Sequence, residues 1–399
     1  SSRNSRRSQH KTQQDIRLMT IMLGSINVLP SINNLWNTWD GSNDGANTNL
    51  FTAGNIKGHD IVAVSDNEAI LFYKDDNEVT NKGRVVVFDV ASKIMSNPNT
   101  DIALSILNPV GMNVVRMTDT RFLCLAEDTA NALLETSLIG KSGKTLTELD
   151  NADTGIPTYS PLYHNSLARL NDTQGVFIGR NGVDTNDGTL GIIDITGDVI
   201  TVGTLVDLND NITDYPAICR LTDTSFMCTT VRKVYYCTVS GTTITVEGST
   251  NIIAAGTAQA ETMLERIDDT TALLAYEKTQ VDVNTFSWSG SAVSRGTPEL
   301  AIFGGTTIFG ATGNSTDLGD RQVMFSGRQD VESPRHGASV VCEVDVSNNI
   351  TVGTEVQLST VEADHNTIDA TPSGNYVFYA YQDETTLPIQ QVGTRVLVK

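Results

Sequence analysis

No run of roughly eighteen consecutive apolar residues occurs in this 399-residue chain, so nothing in it reads as a membrane-spanning helix. The span from Leu18 to Leu35 is broken by Ser, Asn and Gly and makes a poor signal-peptide core. The five cysteines, Cys124, Cys219, Cys228, Cys237 and Cys342, form no Cys-x-x-Cys pair. Each lies in an apolar, strand-like run, which points to buried thiols and away from a metal site or a disulfide frame; Cys228 and Cys237 are spaced to face each other across a hairpin. The five histidines, His10, His59, His164, His336 and His365, are scattered without metal-ligand spacing. A Gly-x-Ser-x-Gly elbow and a phosphate loop are both missing. Long runs of Leu, Ala, Glu and Lys are missing too, while Thr, Asn, Asp, Gly and Val abound. That balance favours short strands and polar turns over helices.

Charge is unevenly placed. Arg3, Arg6, Arg7, Lys11 and Arg17 stand against Asp15 in the first 17 residues, whereas the whole chain carries a net charge of −20. A strongly acidic body repels phosphates, so nucleic acid is not an expected partner there. The basic stretch is the one cationic feature. Ser1 in place of an initiating Met is expected to reflect processing or trimming.

A phrase of apolar strand, tight polar turn and second apolar strand recurs through the chain. It reads AVSDNEAILFY around Asp66, RMTDTRFLCLA around Asp119, RLNDTQGVFIG around Asp172 and RLTDTSFMCTT around Asp223. It returns as RIDDTTALLAY around Asp269, GDRQVMFSG around Asp320 and TPSGNYVFYAY around Ser373, at spacings of 53, 53, 51, 46, 51 and 53 residues. Each phrase is followed by a polar loop, a third strand, a short turn and a fourth strand, clearest in GIIDITGDVITVGTLVDL and SVVCEVDVSNNITVGTEVQL. The turns GD, NN and SG supply the positive φ that a hairpin needs. Four antiparallel strands at a period near 50 predict an all-β fold, a seven-bladed β-propeller with four-stranded antiparallel blades.

The seventh unit stops at GTRVLVK, level with the third strand of the others. The segment Asn47 to Ile56 stands before the first unit and is placed to supply the missing outer strand, which would leave no open edge. The predicted organisation is therefore an N-terminal arm over 1–46 and a propeller over 47–399. Within the arm, Ile26, Leu29, Leu35, Trp36 and Trp39 follow the basic residues Arg3, Arg6 and Arg7, a mixture suited to anchoring on another structural protein.

In a propeller the loop between second and third strands lies on the face that carries the links between blades. Tyr73, Asp75, Tyr276, Glu277, Arg328, Asp330, Tyr381 and Asp383 start those loops and are candidate ligand contacts on one rim. Tyr offers a sugar ring an apolar face, and carboxylates with Arg orient its hydroxyls. The alternative is a solvated rim whose Tyr rings cap the core. Two acidic stretches, Asp40 to Gly45 and Asp184 to Gly188, faintly resemble calcium loops but lack the distal bidentate Glu; they read as turns, and no cofactor is expected.

The elements Tyr381-Gln382-Asp383, Ile200 to Thr204 and Ile350 to Thr354 carry a Tyr-x-Asp…ITVGT pattern that resembles repeat proteins of marine phages and bacteria, found in tail-fibre and surface proteins. The likeness covers about 58–399 and departs in the fourth unit, which lacks Tyr-x-Asp. It implies a binding scaffold and brings no catalytic residues. Sialidase-like propellers would show Ser-x-Asp-x-Gly-x-x-Trp boxes and an arginine cluster, and no such box is present among three Trp. The expected function is thus a non-enzymatic virion structural protein, extracellular or at the virion surface and present in several copies. It would display the propeller to a host glycan or receptor. A glycan-active hydrolase and an intracellular interaction platform are the alternatives, the hydrolase marked by a carboxylate pair in the central channel.

Overall fold

The structure is a computed structural model. The structure describes residues 48–49, 56–75, 81–91, 94–96, 101–157, 166–182, 187–211, 216–252, 262–277, 280–296, 300–303, 307–308, 314–329, 335–359, 362–383 and 390–397. The chain divides into two compact units, Ser1–Asp40 and Gly41–Lys399. The anchoring residues Arg3, Arg6, Arg7, Ile26, Leu29, Leu35, Trp36 and Trp39 all lie outside the described residues, as do Asp40 to Gly45 and Asp184 to Asn186.

The described residues of the second unit form seven antiparallel sheets, numbered here in chain order by their innermost strands. Those strands are Ile56–Ser65, Pro109–Thr118, Leu167–Asn171, Ile218–Thr222, Thr262–Arg266, Asn314–Gly319 and Ala363–Ala370. Each lies against the innermost strand of the next sheet, and the seventh lies against the first, so the sheets close a ring around an axis. This is an all-β propeller. The seventh sheet completes itself from the other end of the chain: Thr48 pairs with Gly393 and Asn49 with Val392, antiparallel to the strand Gln390–Leu397.

Local sequence explains the strands and their turns. In the Asp-Thr anchor turns the side chain of the residue before the anchor accepts the backbone N–H two places on, as Thr118 does from Thr120, Asn171 from Thr173 and Asp268 from Thr270. These short side chains replace the missing backbone bond of a tight turn. The hairpins into the outer strands turn at Gly197, Gly241 and Asn348, all at positive φ. The recurring Val-Gly-Thr kinks the outer strand: Gly203 N–H donates to Ile192 O and Gly353 N–H to Val341 O, both at 2.8 Å. A Cβ at Gly203 would come within 2.7 Å of Thr242 O and one at Gly353 within 2.9 Å of Val341 O, so only glycine allows this approach.

Neighbouring sheets are held mainly by apolar side chains. One cluster runs through the second, third and fourth sheets with Leu125, Phe177, Ile192 and Phe226, all 0% exposed, at its centre. Tyr236 of the fourth sheet stacks on Trp288 of the fifth, ring centroids 4.3 Å apart. All five cysteines are buried free thiols. Cys228 sits opposite Tyr235 and Cys237 opposite Phe226, so the two thiols are diagonal neighbours on one face and not directly opposed.

Candidate functional site in the central channel

The innermost strands run side by side toward one face of the ring, where they turn at the anchor phrases, and the second strands return to the opposite face. The rim residues therefore lie on one face and the anchor turns on the other. Between the innermost strands, toward the anchor-turn face, is a cavity of about 620 Å³. Small-molecule sites span roughly 300–1,000 Å³.

Three residues before each anchor, the strands carry Ala63, Arg116, Arg169, Arg220, Arg266, Asp317 and Ala370, and all seven line the cavity. Four successive sheets thus place an arginine at one level of the mouth. The two alanines leave open the arc where the seventh sheet meets the first. Each arginine also holds the anchor aspartate three residues on: Arg116 with Asp119 at 2.5 Å, Arg220 with Asp223 at 2.6 Å, Arg266 with Asp269 at 2.8 Å, and Arg169 with Asp172. Those aspartates are 68–88% exposed and screened by water, so the pairs hold the guanidinium groups loosely; Arg266 is further fixed by its Nε–H, which donates to Leu221 O at 2.9 Å.

One residue deeper, Glu265 and Asp369 face the same cavity from the fifth and seventh sheets, on either side of the sixth. Ser315 donates to Glu265 Oε1 at 3.0 Å, and Thr316 donates to Asp369 Oδ1 at 3.3 Å, so consecutive residues of one strand hold the two carboxyls. Ala63 N–H donates to Asp369 Oδ2 at 2.7 Å. Burial, with the charges of Asp317 and Asp369, pushes the Glu265 carboxyl up to about 8. Burial also raises Asp369, but the donors from Ala63 and Thr316 and the charge of Arg116 hold it to about 6. Between these values Glu265 keeps its proton while Asp369 is ionised, the division of roles that general acid–base chemistry needs.

Deeper still, the floor is polar and buried. Asp60, 6% exposed, accepts from Ile61 N–H at 2.9 Å and Val114 N–H at 2.7 Å, and Asn314 reaches it from the sixth sheet at 3.4 Å. Burial outweighs those bonds and raises its carboxyl to about 8. Asn113 accepts from Ser166 N–H at 3.1 Å and donates to Gly111 O at 3.0 Å. Among the described residues no group of three or more His, Cys, Asp and Glu is arranged to hold a metal ion.

The rim residues read from sequence are differently placed. Tyr73 is 2% exposed and donates its hydroxyl to Asp101, which also pairs with Arg84 at 2.9 Å. Tyr276 is 0% exposed within the apolar cluster of the fourth and fifth sheets. Tyr381 is 1% exposed and stacks on Tyr379 at 5.2 Å. Arg328 pairs with Asp364 at 3.0 Å. Asp75 and Glu277 are half-buried, Asp383 is buried, and Asp330 lies outside the described residues. The three rings are core, the alternative weighed for them in the sequence. The channel residues were missed, although their signal was printed four times: RMTD, RLND, RLTD and RIDD each place Arg three residues before the anchor.

No protein-family model matches the chain, and no curated protein matches it. Solved structures do. A Bacteroides fragilis protein provisionally described as a 6-phosphogluconolactonase is 14% identical, covering 84% of this chain and 89% of its own, with a TM-score of 0.52. A variant of the NanB sialidase of Streptococcus pneumoniae is 11% identical over 88% of this chain and 70% of its own, TM-score 0.48. The phage phi92 endosialidase is 11% identical over 89% and 69%, TM-score 0.46. At these identities the likeness shows the propeller fold alone. The expectation that the chain is not an enzyme is corrected to this extent: the Bacteroides fragilis propeller that shares its fold is itself described as an enzyme, so the fold does not speak for a non-enzymatic chain.

Proposed function

We propose that the chain is a propeller that binds an acidic sugar in its central channel and hydrolyses a bond to it. The observation that carries this reading is the convergence of Arg116, Arg169, Arg220 and Arg266 with Glu265 and Asp369 on one cavity. Planar guanidinium groups match a carboxylate or phosphate with two parallel hydrogen bonds. With the anionic group held by the arginine arc, the rest of the sugar fits the open side beside Ala63 and Ala370. There Glu265 donates its proton to the leaving oxygen, and ionised Asp369 activates water or attacks the bond. The described sialidase and endosialidase act on acidic sugars, and the provisional lactonase on a phosphosugar, which is the ligand chemistry this arc suits. The resemblance of the ITVGT units to phage and bacterial surface repeats supports displaying this channel on a virion or cell surface, with residues 1–46 as the anchoring arm.

The test is a panel of fluorogenic glycosides of sialic, glucuronic and galacturonic acids with their neutral counterparts, and 6-phosphogluconolactone beside them. Turnover of an acidic member is expected, with Glu265→Gln abolishing turnover while binding by calorimetry survives. Equal binding of neutral and acidic sugars, or none of either, would overturn the reading.

A further inference from the structure

Side-chain exposure along the innermost strands falls steadily from the anchor-turn mouth inward. At the arginine level, six of the seven residues are half-buried or exposed, Ala63 alone being buried. One step deeper Val115, Glu265 and Asp369 are still half-buried. Two steps deeper Ile61, Val114, Leu167, Ile218, Leu264, Ser315 and Ile368 are all 1–5% exposed. At the next level Asp60, Asn113, Ser166, Ala217, Met263, Asn314 and Thr367 are 0–6% exposed. The step beyond adds His59 at 0%, Met112 at 2%, Thr262 at 5% and Asn366 at 0%. An open tube would leave water against at least one strand at every level. Here two successive levels are at most 6% exposed on all seven strands, and the residues named at the third are at most 5% exposed.

The seal is built, not incidental. Asp60 ties the first sheet to the second through Val114 N–H, Asn314 crosses from the sixth sheet to Asp60, and Asn113 ties the second sheet to the third through Ser166 N–H. Buried polar groups joined this way have one arrangement and resist opening, because a broken bond leaves a buried donor or acceptor unsatisfied.

We infer that the channel is a blind pocket entered only past the arginine arc, and that it therefore takes the end of an acidic glycan chain and never its interior. The second half rests on the acidic-sugar reading above; the first half does not. A chain threaded through a propeller needs two openings. One that is held at the mouth by Arg116 to Arg266 meets Asp60 and Asn314 within a cavity of about 620 Å³ and can go no further.

Two measurements test the two halves separately. Cys219 lines the cavity at 4% exposure while the other four thiols are 0% exposed, so its modification by a small anionic thiosulfonate reports access. Filling the open side of the mouth with Ala370→Trp is expected to slow labelling at least tenfold. Labelling at the parent rate in a variant that keeps its circular dichroism would show a second opening and overturn the blind pocket. The second measurement is calorimetry with oligogalacturonate and oligosialate of increasing length. The number of protein molecules bound per chain is expected to stay constant with length. A ratio that grows with length would overturn the chain-end inference while leaving the acidic-sugar reading intact. Slowed Cys219 labelling with no binding at any length would instead overturn the acidic-sugar reading and leave the blind pocket standing.

Discussion

The two faces of the ring use the same residue types to opposite ends. On the face of the second-to-third-strand loops, Tyr73, Tyr276 and Tyr381 sit at the ends of strands, yet these residues are 0–2% exposed and Arg328 is matched to a half-buried Asp364. On the anchor-turn face, arginines carry partners that are mostly in water, and two alanines leave room beside them. A tyrosine at a rim thus reveals little until its burial is known, whereas a cation repeated at one level around a ring cannot be hidden by packing. Guanidinium groups from neighbouring strands must share the channel, and what they share is a preference for an anion.

The largest effect expected from this contrast lies on the rim and concerns stability. Tyr276 packs with Leu264, Leu274 and Phe286 between the fourth and fifth sheets. Tyr276→Ala should cost roughly 3–5 kcal/mol in urea unfolding, as for other large buried aromatics. A loss under about 1 kcal/mol would return this ring to the list of surface contacts.

At the mouth the expected effect is on binding. Arg169→Ala combined with Arg220→Ala should weaken an acidic sugar by at least thirtyfold, about 2 kcal/mol, since truncating a charge-assisted contact costs that or more. The melting midpoint should move little, because both side chains are partly in water. Unchanged affinity with an intact fold would remove the arc from the site.

The propeller class was legible because the period is a backbone property: turns, alternation and glycine kinks recur wherever a sheet recurs. The outer strand from Thr48 and Asn49 was legible for the same reason, as the only unassigned strand next to a unit lacking one. The site was not. The anchor aspartates stood out as turn residues, and the arginines before them passed as part of the phrase, because a single strand does not show which of its levels opens into the channel. Glu265 and Asp369 are harder still. Nothing near either in sequence marks them, and what sets their carboxyls is burial by the fold, reinforced for Glu265 by Asp317 and offset for Asp369 by donors from Ala63 and Thr316, all on other sheets.

The channel carboxyls also give the molecule a pH dependence. Glu265 and Asp60 at about 8 and Asp369 at about 6 lie above the ordinary carboxylate range near 4. The folded state therefore keeps protons that the unfolded chain releases. This contribution is full below about pH 4 and is lost as pH rises through 6 and then 8. The melting midpoint should fall from pH 5 to pH 8, and Glu265→Gln should flatten part of that fall. A midpoint that is level or rising over this interval would contradict the shifts.

The smallest effect separates holding an arginine from using it. Asp172 and Asp223 are 71% and 68% exposed, and exposed pairs of this kind contribute only about 0.2–1 kcal/mol. Asp172→Asn with Asp223→Asn should accordingly leave the melting midpoint nearly where it was. Both aspartates nevertheless compete with an incoming anion for Arg169 and Arg220, and they add to a body whose net charge is already −20. Removing two negative charges at the mouth should therefore tighten an acidic sugar by roughly threefold to tenfold in dilute buffer, and the gain should shrink toward 0.5 M salt as the Debye length drops to about 4 Å. A variant that binds more weakly at low salt would mean that the aspartates position the guanidinium groups, and that the arc works only while they hold it.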